Sequence, residues 1–237
     1  MLFDFIAKYV YLITVRDQSS SNLTPFRGRV PVTCDPVWSI DVDFSFQDNI
    51  KEINWNMPII GVSMRNDKYL KGQYLVYIAD KLSRVLVGMK DWQIVLVPCM
   101  PAYDLPVLYE LRNQILKKIS ASERIFLIEN FHYFPIEQQA GILASCDVMV
   151  GMRYHALLVP LTQGKPVFGL IYDQKVKSLL DFAGQLGVSF RDSLEEPWSY
   201  FWQNLPHSSE KAKEAKEKAI ELHKRNIELL QVLRQRS

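Results

Sequence analysis

Two side chains able to do chemistry stand close together in the middle of the chain, in Asp147-Val148-Met149-Val150-Gly151-Met152-Arg153-Tyr154-His155-Ala156-Leu157-Leu158. The pattern reads as a short buried strand over 148–150, a glycine turn, and a helix ending near residue 163. Gly164-Lys165-Pro166 stops that helix, and the apolar run 167–171 is the next strand. Arg153 and His155 therefore sit where a strand becomes a helix. The first N–H groups of a helix lack partners and carry partial positive charge, so such a junction favours an anion. Arg153 adds a fixed charge and a planar fork suited to carboxylate or phosphate. His155 adds a group able to give or take a proton near neutral pH. Together they predict a small phosphorylated acid bound here, with His155 as proton donor.

Other candidates share this strand-end position. Arg65 closes the apolar run 59–64, Arg16 follows a strand at 11–15, and Tyr172, Asp173 and Lys175 follow the strand 167–171. Each candidate has a plainer reading. His155 as a satisfied core histidine, Arg153 and Arg65 as ion-pair partners, Arg16 paired with Asp17, and Asp173 or Asp104 as helix caps are the alternatives. His132 falls in a loop after a strand. No glycine-rich dinucleotide motif, Walker A, zincin or Gly-x-Ser-x-Gly motif is present, and no carboxylate cluster suggests a metal.

The elements that must hold these groups follow from apolar periodicity. Strands are expected at 59–64, 94–97, 125–128, 148–150, 167–171 and near 188. Helices are expected at 72–90, 104–119, 135–145, 175–183 and 208–234. Pro160 is expected to kink or shorten the central helix. Apolar strands alternating with amphipathic helices mean a parallel sheet covered on both faces, with its ligand edge at the strand carboxyl ends. Residues 1–45 read as a fragment of another α/β unit: the tail of a helix, a strand, and a second short strand at 30–32. Residues 46–57 read as a linker, 58–205 as a Rossmann-like domain, and 206–237 as a long helix with a stripe at Ala212, Ala215, Ala219, Leu222, Leu229 and Leu233. The pattern starts in mid-unit, so a preceding segment is expected.

Composition narrows the classes. A chain of 237 residues with 48% hydrophobic content supports a sizeable core. A net charge of +2 leaves no basic footprint for nucleic acid. The three cysteines, Cys34, Cys99 and Cys146, are widely spaced, which argues for a reducing, cytoplasmic setting and small buried side chains. No apolar run approaches the roughly 18 residues of a membrane helix, and the N-terminus makes a poor signal peptide.

At these residues the sequence resembles the polysaccharide pyruvyl transferase family. The matching pieces are Thr14-Val15-Arg16-Asp17-x-x-Ser20, Asp35-Pro36, Gly61-Val62-Ser63-Met64-Arg65, and Pro98 with Asp104. They continue with Asp147-x-x-Val150-Gly151-Met152-Arg153-Tyr154-His155-Ala156-Leu157, and Gly164-Lys165-Pro166-Val167 leading to Tyr172-Asp173-x-Lys175-Val176. Where Tyr154 stands the family usually has leucine. The resemblance spans residues 10–190 and implies a GT-B-like, two-lobed architecture. The C-terminal Rossmann-like domain is nearly complete, while the N-terminal half with its glycine-rich turn is mostly missing. It implies transfer of a pyruvyl group from phosphoenolpyruvate to a sugar of a cell-surface or exopolysaccharide, as a cyclic ketal, with phosphate released. His155 would be catalytic; Arg153, Arg65, Arg16, Tyr154, Asp173 and Lys175 would bind substrate. Phosphoenolpyruvate is a co-substrate and no cofactor or metal is implied. The partners would be phosphoenolpyruvate and a glycan or lipid-linked sugar, with membrane association through the acceptor only. The rival expectations are a GT-B glycosyltransferase using a nucleotide sugar, and a truncated, non-catalytic fragment.

Overall fold

The computed structural model describes residues 10, 12–23, 30–67, 70, 73–190 and 192–234. Expectations for residues 1–9 and for the Leu233 side chain lie outside the described residues. Six parallel strands form one sheet: β1 (Ile59–Ser63), β2 (Gln93–Leu96), β3 (Ile125–Leu127), β4 (Val148–Gly151), β5 (Val167–Ile171) and β6 (Leu186–Ser189). Their order is β3-β2-β1-β4-β5-β6. The chain thus builds outward from β1 to β3, then returns to the far side of β1. The turning point between β1 and β4 opens a crevice at the carboxyl edge of the sheet, where open α/β sheets bind ligands.

Seven helices are described beside the sheet strands, counting those that cover the sheet: α2 (Gln73–Gly88), α3 (Pro101–Leu116), α4 (Ile136–Ala144), α5 (Tyr154–Thr162), α6 (Gln174–Ala183), α7 (Glu195–Gln203) and α8 (Leu205–Arg234). They follow a short α1 (Gln18–Leu23) in the N-terminal segment. Strand residues alternate between two cores, as a pleat requires. Ile60, Val62, Ile94, Leu96 and Phe168 pack with α2, α3 and α7 on one face. Ile59, Val95, Met149 and Val167 pack with α4, α5, α6 and α8 on the other. Phe168 lies edge-on to Trp198 and Phe201, each at 5.3 Å, and is fully buried. Phe168→Ala is expected to cost about 3–5 kcal/mol, read as a lower midpoint in chemical denaturation.

Several details differ from the periodic reading. Helix α3 begins at Pro101, three residues early, because Pro101 starts it at the tolerated first turn. Helix α7 has no counterpart in the sequence reading; its aromatic run and Pro197 hide the helical period, yet Trp198 and Phe201 are buried. Helix α8 starts at Leu205, three residues before the expected 208, so Ser208 lies inside it, buried. Lys211–Glu214 and Lys224–Glu221 pair along it at i,i+3 spacing. The 46–57 segment is packed: Phe46 is fully buried and meets Trp55 edge-on at 4.8 Å. Just upstream, a Cβ on Gly141 of α4 would lie 2.0 Å from the Asp43 carbonyl oxygen, so only glycine lets that backbone approach. The two N-terminal strands reduce to one parallel bridge, Val15 with Val32.

Candidate functional site

The β1–β4 pairing sets Ser63 beside Gly151, so Arg65 and Arg153 occupy matching positions two residues past adjacent strand ends. A Cβ on Gly151 would sit 2.9 Å from the Ser63 carbonyl oxygen, and the bare glycine keeps the strands closed at this point. Beyond it, Arg153 has extended backbone and caps α5 by position, with no capping bond from its side chain. His155 follows on the first turn, and its side chain is exposed. The first-turn N–H groups of α5 face the same carboxyl edge, without upstream helical carbonyls to pair with.

Arg153 differs from expectation. Its guanidinium forms a bidentate pair with Asp104: Nε donates to Oδ2 at 3.2 Å, and the second arm donates to Oδ1. Asp104 is fully buried, and it also accepts the Met100 N–H at 2.8 Å. The carboxylate in the β2–α3 connection has thus claimed the fork that sequence reasoning assigned to a ligand. Arg153 fixes the start of α5 against α3, and Asp104 is a capping group as well as an ion-pair partner.

Arg65 is less committed. Its guanidinium carbon lies 4.6 Å from the Tyr172 ring centroid, and its Nε is 3.9 Å from the Asp67 carboxylate, beyond hydrogen-bond reach. That Nε is buried and has no acceptor, which is costly unless a ligand supplies one. Lys175 Nζ lies 5.9 Å from the same Tyr172 ring. Asp173, as the plainer reading had it, caps α6: its carboxylate accepts the Val176 N–H at 3.0 Å and pairs with Lys175 at 3.5 Å. Asp173→Ala is expected to lower stability by about 1 kcal/mol, measurable as a shift in the unfolding midpoint.

Arg16 belongs to a separate cluster. It lies 4.5 Å over the Tyr154 ring and contacts Asp17 and Asp35, both at 3.4 Å. The Tyr154 ring meets His155 edge-on at 5.3 Å. Burial, then the Asp35 carboxylate, pushes the Tyr154 hydroxyl well above the usual phenol range, so it stays protonated. Cys99 lies 3.4 Å from the Ser63 hydroxyl; burial raises its thiol to about 11, which leaves it inert as a nucleophile. The expected single cluster of three guanidinium groups and one imidazole is therefore two: Arg65 with Tyr172 and Lys175, and Arg16 with Tyr154 and His155. Arg153, between Gly151 of β4 and Tyr154, joins neither and is held by Asp104.

The Asp104 partnership and the shared Tyr172 ring were missed in the sequence. Asp104 and Arg153 are 49 residues apart, and only the β1–β4 and β1–β2 pairings bring their loops together.

A family model described as polysaccharide pyruvyl transferase matches residues 2–174. The chain belongs to the polysaccharide pyruvyl transferase family. Among curated proteins, none matches its sequence. Solved structures show the GT-B-like fold of this family member. Anabaena Alr3699/HepE in complex with UDP-glucose is 14% identical with a TM-score of 0.57, over 94% of this chain and 64% of that one. S. aureus MnaA in its UDP co-structure is 13% identical with a TM-score of 0.54, over 89% and 57%. UDP-GlcNAc 2-epimerase from Neisseria meningitidis bound to UDP-GlcNAc is 15% identical with a TM-score of 0.51, over 74% and 47%. The chain spans less than two thirds of each of these structures. At such identities the likeness describes the fold.

Proposed function

We propose that this chain carries the donor side of a pyruvyl transferase, moving a pyruvyl group from phosphoenolpyruvate to a sugar as a cyclic ketal. The supporting observations are an exposed imidazole on the first turn of α5, just past the end of β4, and a buried Arg65 Nε without an acceptor just past the end of the neighbouring β1. Arg65, Lys175 and the α5 first-turn N–H groups supply positive charge for the carboxylate and phosphate. His155 gives a proton to the methylene carbon, which becomes the methyl group, and the oxygen-bearing carbon becomes oxocarbenium-like. One sugar hydroxyl adds to that carbon. The carbon–oxygen bond to phosphate breaks, and a second hydroxyl closes the ring. Of the two hydroxyl protons released, one restores His155 and the other leaves with phosphate.

The scheme calls for no metal and no redox cofactor. It places the protein in the cytoplasm, meeting a glycan or lipid-linked acceptor, with membrane contact through that acceptor. No helix among the described residues is long and apolar enough to cross a membrane. Ligand protection tests the donor. Phosphoenolpyruvate is expected to raise the unfolding temperature, since a ligand at 100 times its Kd stabilises by about 2.7 kcal/mol. Protection by UDP-glucose and none by phosphoenolpyruvate would refute the assignment.

A further inference from the structure

A cavity of about 640 Å3 opens between the N-terminal segment and helices α6 and α8, within the range of about 300–1,000 Å3 typical of small-molecule sites. We propose that it holds a sugar ring of the acceptor glycan, with the ring's reacting hydroxyls at the Tyr154 end. This rests on the enolpyruvyl reading above and extends it to the acceptor.

Charge argues first. The charged groups lining the cavity are Arg16, Lys218 and Lys175, the last shared with the donor side, against Asp17, Asp35 and Asp181, three of each sign and no net charge. Such a lining does not suit a highly charged donor. It suits a neutral polyol, whose hydroxyls donate to carboxylates and accept from cations. Apolar surface argues next. Trp38 and Phe182 line the same space with ring centroids 5.7 Å apart, and the Lys218 ammonium lies 4.7 Å over the Phe182 ring. A sugar ring pairs apolar C–H faces with a polar edge, and aromatic walls with a few convergent polar groups match both.

Two of the side-chain contacts at the lining are exchangeable. Gln18 reaches Asn22 at 3.2 Å and Gln174 reaches the half-buried Ser178 at 3.4 Å, contacts that incoming hydroxyls can replace. Position completes the argument. Tyr154 lines the cavity, and its ring meets the His155 imidazole edge-on at 5.3 Å. A ring seated against Tyr154 is therefore one aromatic ring away from the proton donor. The N-terminal segment, with Arg16, Asp17, Asp35 and Trp38, is then a wall of the acceptor site.

The test uses the full chain and methyl glycosides of galactose, mannose and N-acetylglucosamine as probes, followed by saturation-transfer NMR. Calorimetry with phosphoenolpyruvate runs in parallel. At least one glycoside is expected to bind. Ser178→Trp, which fills the cavity, is expected to abolish that binding. Lys218→Ala, which removes a charged donor, is expected to weaken it about ten- to a hundredfold. Phosphoenolpyruvate affinity is expected to stay within about twofold of wild type in both, because neither residue belongs to the donor site. Should Ser178→Trp fail to fold, Lys218→Ala and Asn22→Ala decide the question. A chain that binds phosphoenolpyruvate but none of the glycosides overturns the cavity assignment, as does glycoside binding that survives the substitutions. Glycoside binding lost in the variants, with no phosphoenolpyruvate binding to wild type, upholds the sugar site and overturns the donor reading.

Discussion

Alanine in place of His155 is expected to slow phosphate release from phosphoenolpyruvate by about 10²–10⁴-fold, the range typical of a positioned general acid. Binding of phosphoenolpyruvate should change little, because the imidazole acts on the methylene carbon while cations hold the anionic groups. The imidazole is exposed on the first turn of α5, so its removal leaves no void in either core. A stable variant with wild-type affinity and lost turnover is thus the expected phenotype. Acceptor-dependent phosphate release and calorimetry on the same preparation separate the two terms. Turnover at the wild-type rate would remove His155 from the acid role.

A large stability effect is expected at Asp104. Its carboxylate is fully buried, takes both arms of Arg153 and accepts the Met100 N–H. Asp104→Ala leaves a guanidinium that is only 16% exposed without its partner, and breaking such a buried pair costs about 3–5 kcal/mol. At about 2–4 °C per kcal/mol for a chain of this size, the unfolding temperature should fall by roughly 6–20 °C. Replacing both partners with apolar residues, Asp104→Leu with Arg153→Met, should recover much of that loss, since no lone charge then stays behind. Arg153→Lys keeps the charge but loses the fork, and should fall between. If Asp104→Ala unfolds like wild type, the pair does not anchor α5 against α3.

The sheet was legible because burial on both faces leaves runs such as Ile59–Ser63 and Val167–Ile171 almost wholly apolar. Helix α6 was legible from the same alternation, and Asp173 could be read as its cap because that bond is local. The long-range pairings were not legible. Nothing near residue 153 announces that its guanidinium is taken by residue 104, because that contact depends on strand order, which periodicity does not encode. Helix α7 escaped because Trp198, Phe201 and Trp202 pack against each other and Phe168, so its apolar residues are not spaced as a simple stripe. The cavity escaped for a related reason: Trp38 and Phe182 are 144 positions apart in sequence, and each alone reads as ordinary core.

Direct binding of phosphoenolpyruvate to the intact chain, compared with Arg65→Ala, tests the central claim most directly. Calorimetry should show phosphoenolpyruvate binding to wild type, a loss of about ten- to a hundredfold in Arg65→Ala for one charge-assisted contact, and no heat from UDP-glucose. Unchanged affinity in Arg65→Ala, or UDP-glucose binding where phosphoenolpyruvate gives no heat, would contradict it.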